Sequence, residues 1–404
     1  MELSSSVWRA IFLFVFIVRY LRTIVHAWVF YFRIKSSTPI AKPSYTSLDA
    51  TVVLPTILDT DITTTLRSIV KNDPYQIILV VHEDDLAKAE KIRTNVGFPR
   101  LVVLTVPQLG RRLQMVAGII KVQTSITIFC DDDVLWHPKL LSYLLTPLED
   151  ARVGATGTNQ RALRRSNTTL WSFLGACYLE RRNFNTITTN YIDGAVSTLS
   201  GRTFACRTQI VQTPNFYEFL INDDFLGSRI KIGDDKRFTM RFYAKGWRIS
   251  LIYTEEAVLY TSMADDARFL GQCLRWARSH WQGNAAVVMG QSYWWRRHCW
   301  SAYATYLGSL MTPAILIDGG LYYLLQHALK GETQSFRYRV IGGFIAWTLL
   351  QKTIKIWPHF ARWPSDMRFI PAMILFSYAH GIINLWAAFT MTSNEWGGRD
   401  VSLE

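Results

Sequence analysis

The residues that could do chemistry in this sequence fall into three groups, and the first is acidic. Asp131, Asp132 and Asp133 follow directly on the apolar run Ile126-Thr127-Ile128-Phe129-Cys130. Adjacent carboxylates repel and raise one another's pKa unless a cation or a cluster of donors relieves them. At the end of a buried strand a hard divalent cation would do so. Mg2+ or Mn2+ takes oxygen ligands, keeps several waters and is commonly shared with substrate phosphates. Asp131 and Asp133 can flank such a metal–diphosphate while Asp132 points elsewhere. Three aspartates alone fit a solvated acidic loop equally well, so their neighbours must decide.

The second group is "IGDDKRFTMRFYAKGW" (232–247), where Asp234 and Asp235 stand at a helix start. Asp234 could cap that helix, but capping explains one aspartate more easily than two. A carboxylate held near an anionic substrate has its pKa raised toward the range of a general base. The third group is "FLGQCLRWARSHWQGN" (269–284). At helical spacing Leu270, Cys273, Leu274, Ala277 and Trp281 share one face, and Gln272, Arg275, Trp276 and Ser279 lie opposite. A helix resting on a membrane surface needs only basic residues on its polar face. A tryptophan among Gln and Arg points instead to a stacking platform beside phosphate-binding donors.

These groups need a scaffold, and the pattern from about residue 46 supplies one. "ATVVLPT" (50–56), "YQIILVVHEDD" (75–85), "PRLVVLTV" (99–106) and "SITIFCDDD" (125–133) are short apolar runs, and "DITTTLRSIV" (61–70) has helical spacing. Continuous apolar strands alternating with helices predict an α/β domain with a doubly wound, mostly parallel sheet. Ligands bind such sheets at the carboxyl ends of the strands, where Glu83, Asp84 and Asp131–Asp133 fall.

Around this domain the composition has a membrane character. Aromatics collect at bilayer interfaces, and the 404 residues include 15 Trp, 18 Tyr and 22 Phe. Residues 7–32 exceed the roughly 20 residues needed to cross a bilayer. The basic residues Arg33, Lys35 and Lys42 behind them predict a signal anchor with a cytosolic catalytic domain. Segments 300–329, 340–357 and 369–391 are also of membrane length. The five cysteines are scattered with no CxxC pair, which suggests neither a disulfide framework nor a zinc site. The net charge of +13 comes from dispersed basic residues, including the pairs at 111–112, 164–165, 181–182 and 296–297. No recognition module accompanies them, so nucleic acid is not expected as a partner.

Taken together the motifs resemble the membrane-embedded family 2 glycosyltransferases, which include hyaluronan, chitin and cellulose synthases. "GRRLQM" (110–115) is similar to the family's Gly-Lys/Arg-Arg stretch, and "CDDDVLWHP" (130–138) to its Asp-x-Asp metal site. "SGRTFACR" (200–207) is similar to the Ser-Gly-Pro element beneath the acceptor, with Arg202 in place of proline. "GDDKRFT" (233–239) resembles the motif whose last aspartate is the base. "QCLRW" (272–276) resembles Gln-x-x-Arg-Trp, and "EWGGR" (395–399) the Trp-Gly-Thr-Arg element of a gating loop. The nearest resemblance is to hyaluronan- and chitin-synthase-like enzymes of the fungal capsule-polysaccharide type.

The resemblance implies a GT-A-like cytosolic domain with N- and C-terminal transmembrane and interfacial helices. Its parts would be an anchor and linker (1–45), the transferase domain (46–263), amphipathic interfacial helices (264–299) and membrane helices with the tail (300–404). It implies an inverting transfer from a UDP-sugar to a growing polysaccharide, coupled to export. Asp131 and Asp133 would hold Mg2+ or Mn2+. Asp235, beside Asp234, would be the base. Thr56, Glu83 or Asp84, Arg111, Arg112, Asp131, Gln272, Arg275 and Arg399 would contact the donor. Ser200, Gly201 and Trp276 would contact the acceptor, and Trp396, Gly397 and Arg399 would form the gating loop. A gating loop in the cytosol favours two C-terminal spans, 300–328 and 338–357, with 369–391 in the interface. The expected host is the plasma membrane, with Golgi or ER as alternatives, and a homo-oligomer is left open. Two other readings stand beside this one: a non-processive transferase making a glycolipid, and a transporter with a regulatory cytosolic domain.

Overall fold

An apolar run without polar alternation demands burial on both faces. In the computed structural model Ala50–Pro55 forms such a strand, β1, with every residue buried. The structure describes residues 4–164, 168–222, 224–225, 228–229, 233–290, 293–308, 313–393, 395–396 and 399–400. Upstream of β1 lies one long helix, α1 (Ser5–Phe32). β1 pairs in parallel with β2 (Gln76–His82), which pairs in parallel with β3 (Leu101–Val106). On its other side β1 takes β4 (Ile126–Cys130), also in parallel, with Val52 opposite Ile128.

Successive residues of β1 face opposite layers, as the pleat requires. Val52 and Leu54 pack with Leu66 and Ile69 of α2 (Thr63–Val70) and with Ala89 and Ile92 of α3 (Leu86–Val96). Val53 packs on the other face with Met115, Val116 and Ile119 of α4 (Arg111–Lys121). The sheet is therefore doubly wound, as expected. α4 comes close to β1 because Gly118 has no side chain: a Cβ there would lie 2.4 Å from Val53 Cγ1 and 3.3 Å from Val80 Cγ2.

Beyond β4 the chain forms β5 (Val134–Trp136), α5 (Leu140–Leu145), β6 (Val153–Thr158), β7 (Gln160–Ala162) and the 24-residue helix α6 (Leu170–Asp193). β8 (Thr203–Arg207) then enters antiparallel between β4 and β6. After α7 (Thr208–Val211) and α8 (Pro214–Ile221) come two short antiparallel strands, β9 (Asp224–Phe225) and β10 (Ser228–Arg229). α9 (Asp234–Ala244) and β11 (Arg248–Ile252) follow. The seven strands run β11-β6-β8-β4-β1-β2-β3, mostly parallel with β8 as the reversed member. β12 (Leu259–Thr261) joins β5 and β7 in a small second sheet. α10 (Arg268–Gly290) leads to the C-terminal helices.

Those helices depart from expectation. Two helices are long and apolar enough to cross a bilayer among the described residues, Ser5–Phe32 and Pro364–Phe389. The segment 300–328 is not one such helix. A π-type turn over Ala302–Leu307 precedes Pro313, whose ψ of 79° is not helical, and the helix Ala314–Ala328 has only 15 residues. At 1.5 Å per residue it spans about 22 Å, short of the roughly 30 Å hydrocarbon core. Gln334–Ile354 is a 21-residue helix that falls below the required apolarity. Length and composition thus favour as a span the segment 369–391 that was expected in the interface. The helix Ala314–Ala328 packs on α1, with Leu321 and Leu325 against Tyr20.

Replacing Gly118 by alanine should overpack α4 against β1 and cost about 1–3 kcal/mol. A thermal or denaturant melt of the purified protein reads that loss directly, and an unchanged midpoint would refute the close approach.

Candidate active site

Five carboxylates converge where β4 ends and α9 begins, and one guanidinium joins them. Arg111, the first residue of α4, donates from Nε to Asp234 Oδ2 at 3.1 Å and from its terminal nitrogen to Asp131. These residues are 20 and 123 positions from Arg111. Two backbone features bring them together. Asp131 lies just beyond β4, and its N–H donates to the carbonyl of Arg202 at 2.9 Å. That bond continues the β4–β8 pairing, in which Cys130 faces Thr203. Asp234 and Asp235 occupy the first turn of α9, behind Gly233 at φ +83°, where the helix N-terminus favours negative charge.

The carboxylates are handled differently. Asp132 turns away, accepting from Thr56 Oγ1 at 2.5 Å, and burial raises its pKa even against that hydrogen bond. Asp133 is pushed up to about 6 by burial and then by the charge of Asp131, partly offset by Arg202. Asp235 is likewise raised to about 6, by burial and by Asp234. It is Asp235, rather than Asp234, that accepts a helix-start N–H, that of Lys236 at 2.8 Å. Burial penalises the charged form of each carboxylate, and a cation nearby would offset that cost.

The residues fit a divalent cation. Asp131 and Asp133 offer hard oxygen donors, each beside the other's like charge. Among the described residues no group of three His, Cys, Asp or Glu could hold a metal alone. A cation here would complete its shell with water or substrate oxygens, as Mg2+ and Mn2+ do.

The acceptor-side candidates border the acids. A Cβ on Gly201 would lie 3.4 Å from Asp235 Cβ, 3.6 Å from an Arg111 guanidinium nitrogen and 3.7 Å from Asp234 Oδ2. Ser200, next to it, accepts from the backbone N–H of Arg202 at 3.4 Å. α9 fixes this loop, since Leu199 N–H donates to Thr239 Oγ1 at 2.8 Å and Val196 N–H to Tyr243 Oη at 2.9 Å. Trp276 meets Tyr178 of α6 at 4.8 Å between ring centroids, and Arg202 lies 5.4 Å from the Trp276 ring. Gln272 Oε1 accepts from Ala264 N–H at 3.4 Å. The pKa of Arg275 is lowered by burial and by Arg202 and Arg111, against the opposing charges of Asp131 and Asp234. Arg275 therefore belongs to the same electrostatic cluster.

Other expected residues have different surroundings. Arg112 is buried and donates to the carbonyl of Leu220 at 3.2 Å, tying α4 to α8. Thr56 is buried and engaged with Asp132. Glu83 is exposed, and Asp84, 91% exposed, pairs with His82 at 3.3 Å. Gly397 and the side chains of Trp396 and Arg399 lie outside the described residues. The backbone there forms a small antiparallel pair, Trp396 with Arg399. Sequence reasoning missed Tyr178 and Arg182, which sit on α6 in no local motif. It noted Arg202 only as a departure.

Residues 50–279 match the family model described as "Glycosyltransferase like family 2". A "Type 2 glycosyltransferase" of Zymoseptoria tritici is 34% identical over 405 residues, covering 98% of this chain and 85% of that protein. Human hyaluronan synthase 3 is a more distant relative, 29% identical over 178 residues, which are 43% of this chain and 30% of its own. Among solved structures, the mannosyltransferase PcManGT of Pyrobaculum calidifontis, in complex with GDP-Man and Mn2+, has a TM-score of 0.58. It covers 94% of this chain and 99% of its own at 16% identity, a likeness of fold.

Arg111 lowers the pKa of both Asp133 and Asp235, so Arg111→Gln should raise both. Carbon-detected NMR of labelled aspartates would show the two titrations moving to higher pH. Unmoved midpoints would refute the bridging role.

Proposed function

This chain belongs to glycosyltransferase family 2, and on that premise we propose that it moves a sugar from a UDP-sugar to a hydroxyl of a growing polysaccharide at a membrane, inverting the anomeric centre. Its mostly parallel α/β sheet is GT-A-like. The observation that carries the proposal is the Arg111 bridge between Asp131 and Asp234, which supports reading the two acidic segments as one site.

In this reading the donor diphosphate lies along Asp131, Asp133, Arg111 and Arg275. Mg2+ or Mn2+ bound by Asp131 and Asp133 would supply positive charge against the departing diphosphate. Asp235 takes the proton of the acceptor hydroxyl, and that oxygen forms its bond to the anomeric carbon from the face opposite the leaving group. The carbon–oxygen bond to the diphosphate breaks, and its electron pair leaves on the nucleotide. Arg111 and Arg275 hold that charge in a partly buried setting, where it interacts more strongly than in water. Trp276, braced by Tyr178, offers the acceptor sugar an aromatic face. Gly201 leaves room above Asp235 for the acceptor to approach.

A second reading, single transfer onto a lipid to make a glycolipid, is favoured by one observation. Only two described helices are long and apolar enough to cross a bilayer, few to enclose a path for a polymer. Family membership displaces the transporter reading.

Membranes carrying the wild type or Asp235→Asn, given labelled UDP-sugars with Mn2+, test the proposal. A large polymer from one or two donors is expected, made at least about 100-fold more slowly by the variant. A small solvent-extractable product would favour the second reading, and undiminished turnover by the variant would remove Asp235 as base. The base must be ionised, and its pKa lies near 6. The wild-type kcat/KM should therefore rise with pH below about 6 and level off above it. A rate that falls over that interval would contradict the assignment.

A further inference from the structure

Immediately behind the base, a second region of opposite electrostatic character opens. Lys236, buried, donates from Nζ to the carbonyl of Ser197 at 2.7 Å and to Asn284 Oδ1 at 3.1 Å. Ser197 and Asn284 in turn line a cavity of about 350 Å3 between α6, α10, α1 and the C-terminal helices. Six cationic side chains face it: Arg19 and Arg22 from α1, Arg181 and Arg182 from α6, Lys352 and Lys355 from the helix Gln334–Ile354 and its end. Among the described residues that line it, none is acidic.

Neighbouring carboxylates account for little of this charge. Lys352 has Asp318 at 3.5 Å. Arg22 donates to the carbonyl of Ala304 at 2.6 Å and Arg182 to that of Thr198 at 3.2 Å, neutral acceptors in both cases. Among the described residues no carboxylate lies within 4 Å of Arg22, Arg181, Arg182 or Lys355. Several like charges gathered between largely apolar helices are costly unless an anion joins them. A neutral glycan would need only aromatic faces and amides. The donor diphosphate is not the missing anion, because it is assigned to Arg111 and Arg275 beside Asp131.

Charge density and the surrounding surface identify the anion. A phosphate monoester concentrates about −1.5 to −2 charge on one group at pH 7, whereas a uronate chain carries one charge per acidic sugar, spread along its length. Phosphate oxygens also suit the forked donors of arginine. α1, which supplies Arg19 and Arg22, presents Phe14, Ile17, Leu21, Ile24 and Trp28 as an exposed apolar stripe. These positions recur at helical spacing on a different face from the arginines. One helix thus faces a cationic cavity on one side and offers a lipid-compatible surface on the other.

We propose that this cavity binds the phosphate of a lipid-linked acceptor, whose sugar hydroxyl reaches Asp235 while its lipid lies against α1. The inference rests on the reading of Asp235 as base and names the class of acceptor for that site. The chemistry of transfer is unchanged: the hydroxyl proton passes to Asp235, the donor's carbon–oxygen bond is replaced by the new glycosidic bond, and the lipid phosphate ester stays intact.

The test uses the full chain purified in a non-ionic maltoside detergent and titrated with dodecyl phosphate. Wild type should bind this probe with an affinity that falls as salt rises. Arg181→Gln/Lys355→Gln should bind it at least about tenfold more weakly, and Lys355→Gln alone takes its place if the double variant melts early. Equal affinity in wild type and variant would overturn the proposal. So would inorganic phosphate binding as tightly as dodecyl phosphate, which denies the lipid, or a glucuronate oligosaccharide binding more tightly, which points to an anionic glycan. Binding of UDP with Mn2+, measured in the same samples, should be equal in both proteins. Its absence from wild type would sink the donor reading independently of the phosphate titration.

Discussion

The constraint on which the site depends is the mutual repulsion of Asp131, Asp132, Asp133, Asp234 and Asp235. Carboxylates so close cannot all ionise freely without positive charge nearby. The fold answers with Arg111, which pairs with one acid from each segment, and with Arg202 and Arg182 acting at longer range. Burial first, and then the like charges left unbalanced, raise the pKa values of Asp133 and Asp235. In the proposed reaction that residue of negative charge has a use: one acid awaits a divalent cation and the other awaits a proton.

The backbone can be understood as the means of delivering these countercharges. Arg111 needs α4 to start at the edge of the sheet, and the close fit at Gly118 holds α4 there. Arg202 needs β8 to run antiparallel beside β4, so that its carbonyl meets Asp131. The reversed strand in an otherwise mostly parallel sheet is thus what brings the Ser200–Arg202 loop over the acids. α10 closes the arrangement from the other side, with Gly283 lying against the side chain of Lys236.

The acidic centre and the cationic cavity are separated by little more than Lys236. Its ammonium pKa is lowered to about 7 by burial, against the pull of Asp235. Groups that seek a cation and groups that seek an anion therefore meet at one residue of α9. An acceptor with a neutral reactive end and an anionic carrier is complementary to that polarity, whereas a uniformly neutral or uniformly charged one is not.

Much of this was legible in the sequence because it is local. Apolar runs of strand length, the Asp131–Asp133 spacing, the paired acids before a helix and the polar face holding Gln272, Arg275 and Trp276 all follow from short-range periodicity. Those patterns sufficed for the doubly wound class and for the family resemblance. They could not tell Arg111 from Arg112, since adjacent residues at a helix start point in different directions, and only the folded chain puts Arg111 on Asp131 and Asp234 and Arg112 on the carbonyl of Leu220. Nor could they pair Trp276 with Tyr178, or Thr56 with Asp132, whose distances are set by layers far apart in sequence. Hydropathy likewise treated 300–329 as one segment, where the backbone at Pro313 separates two. The sequence by itself determined which chemical groups are present and which elements carry them. The tertiary structure alone decided which of those groups share a field, because electrostatic coupling depends on separation in space and on burial.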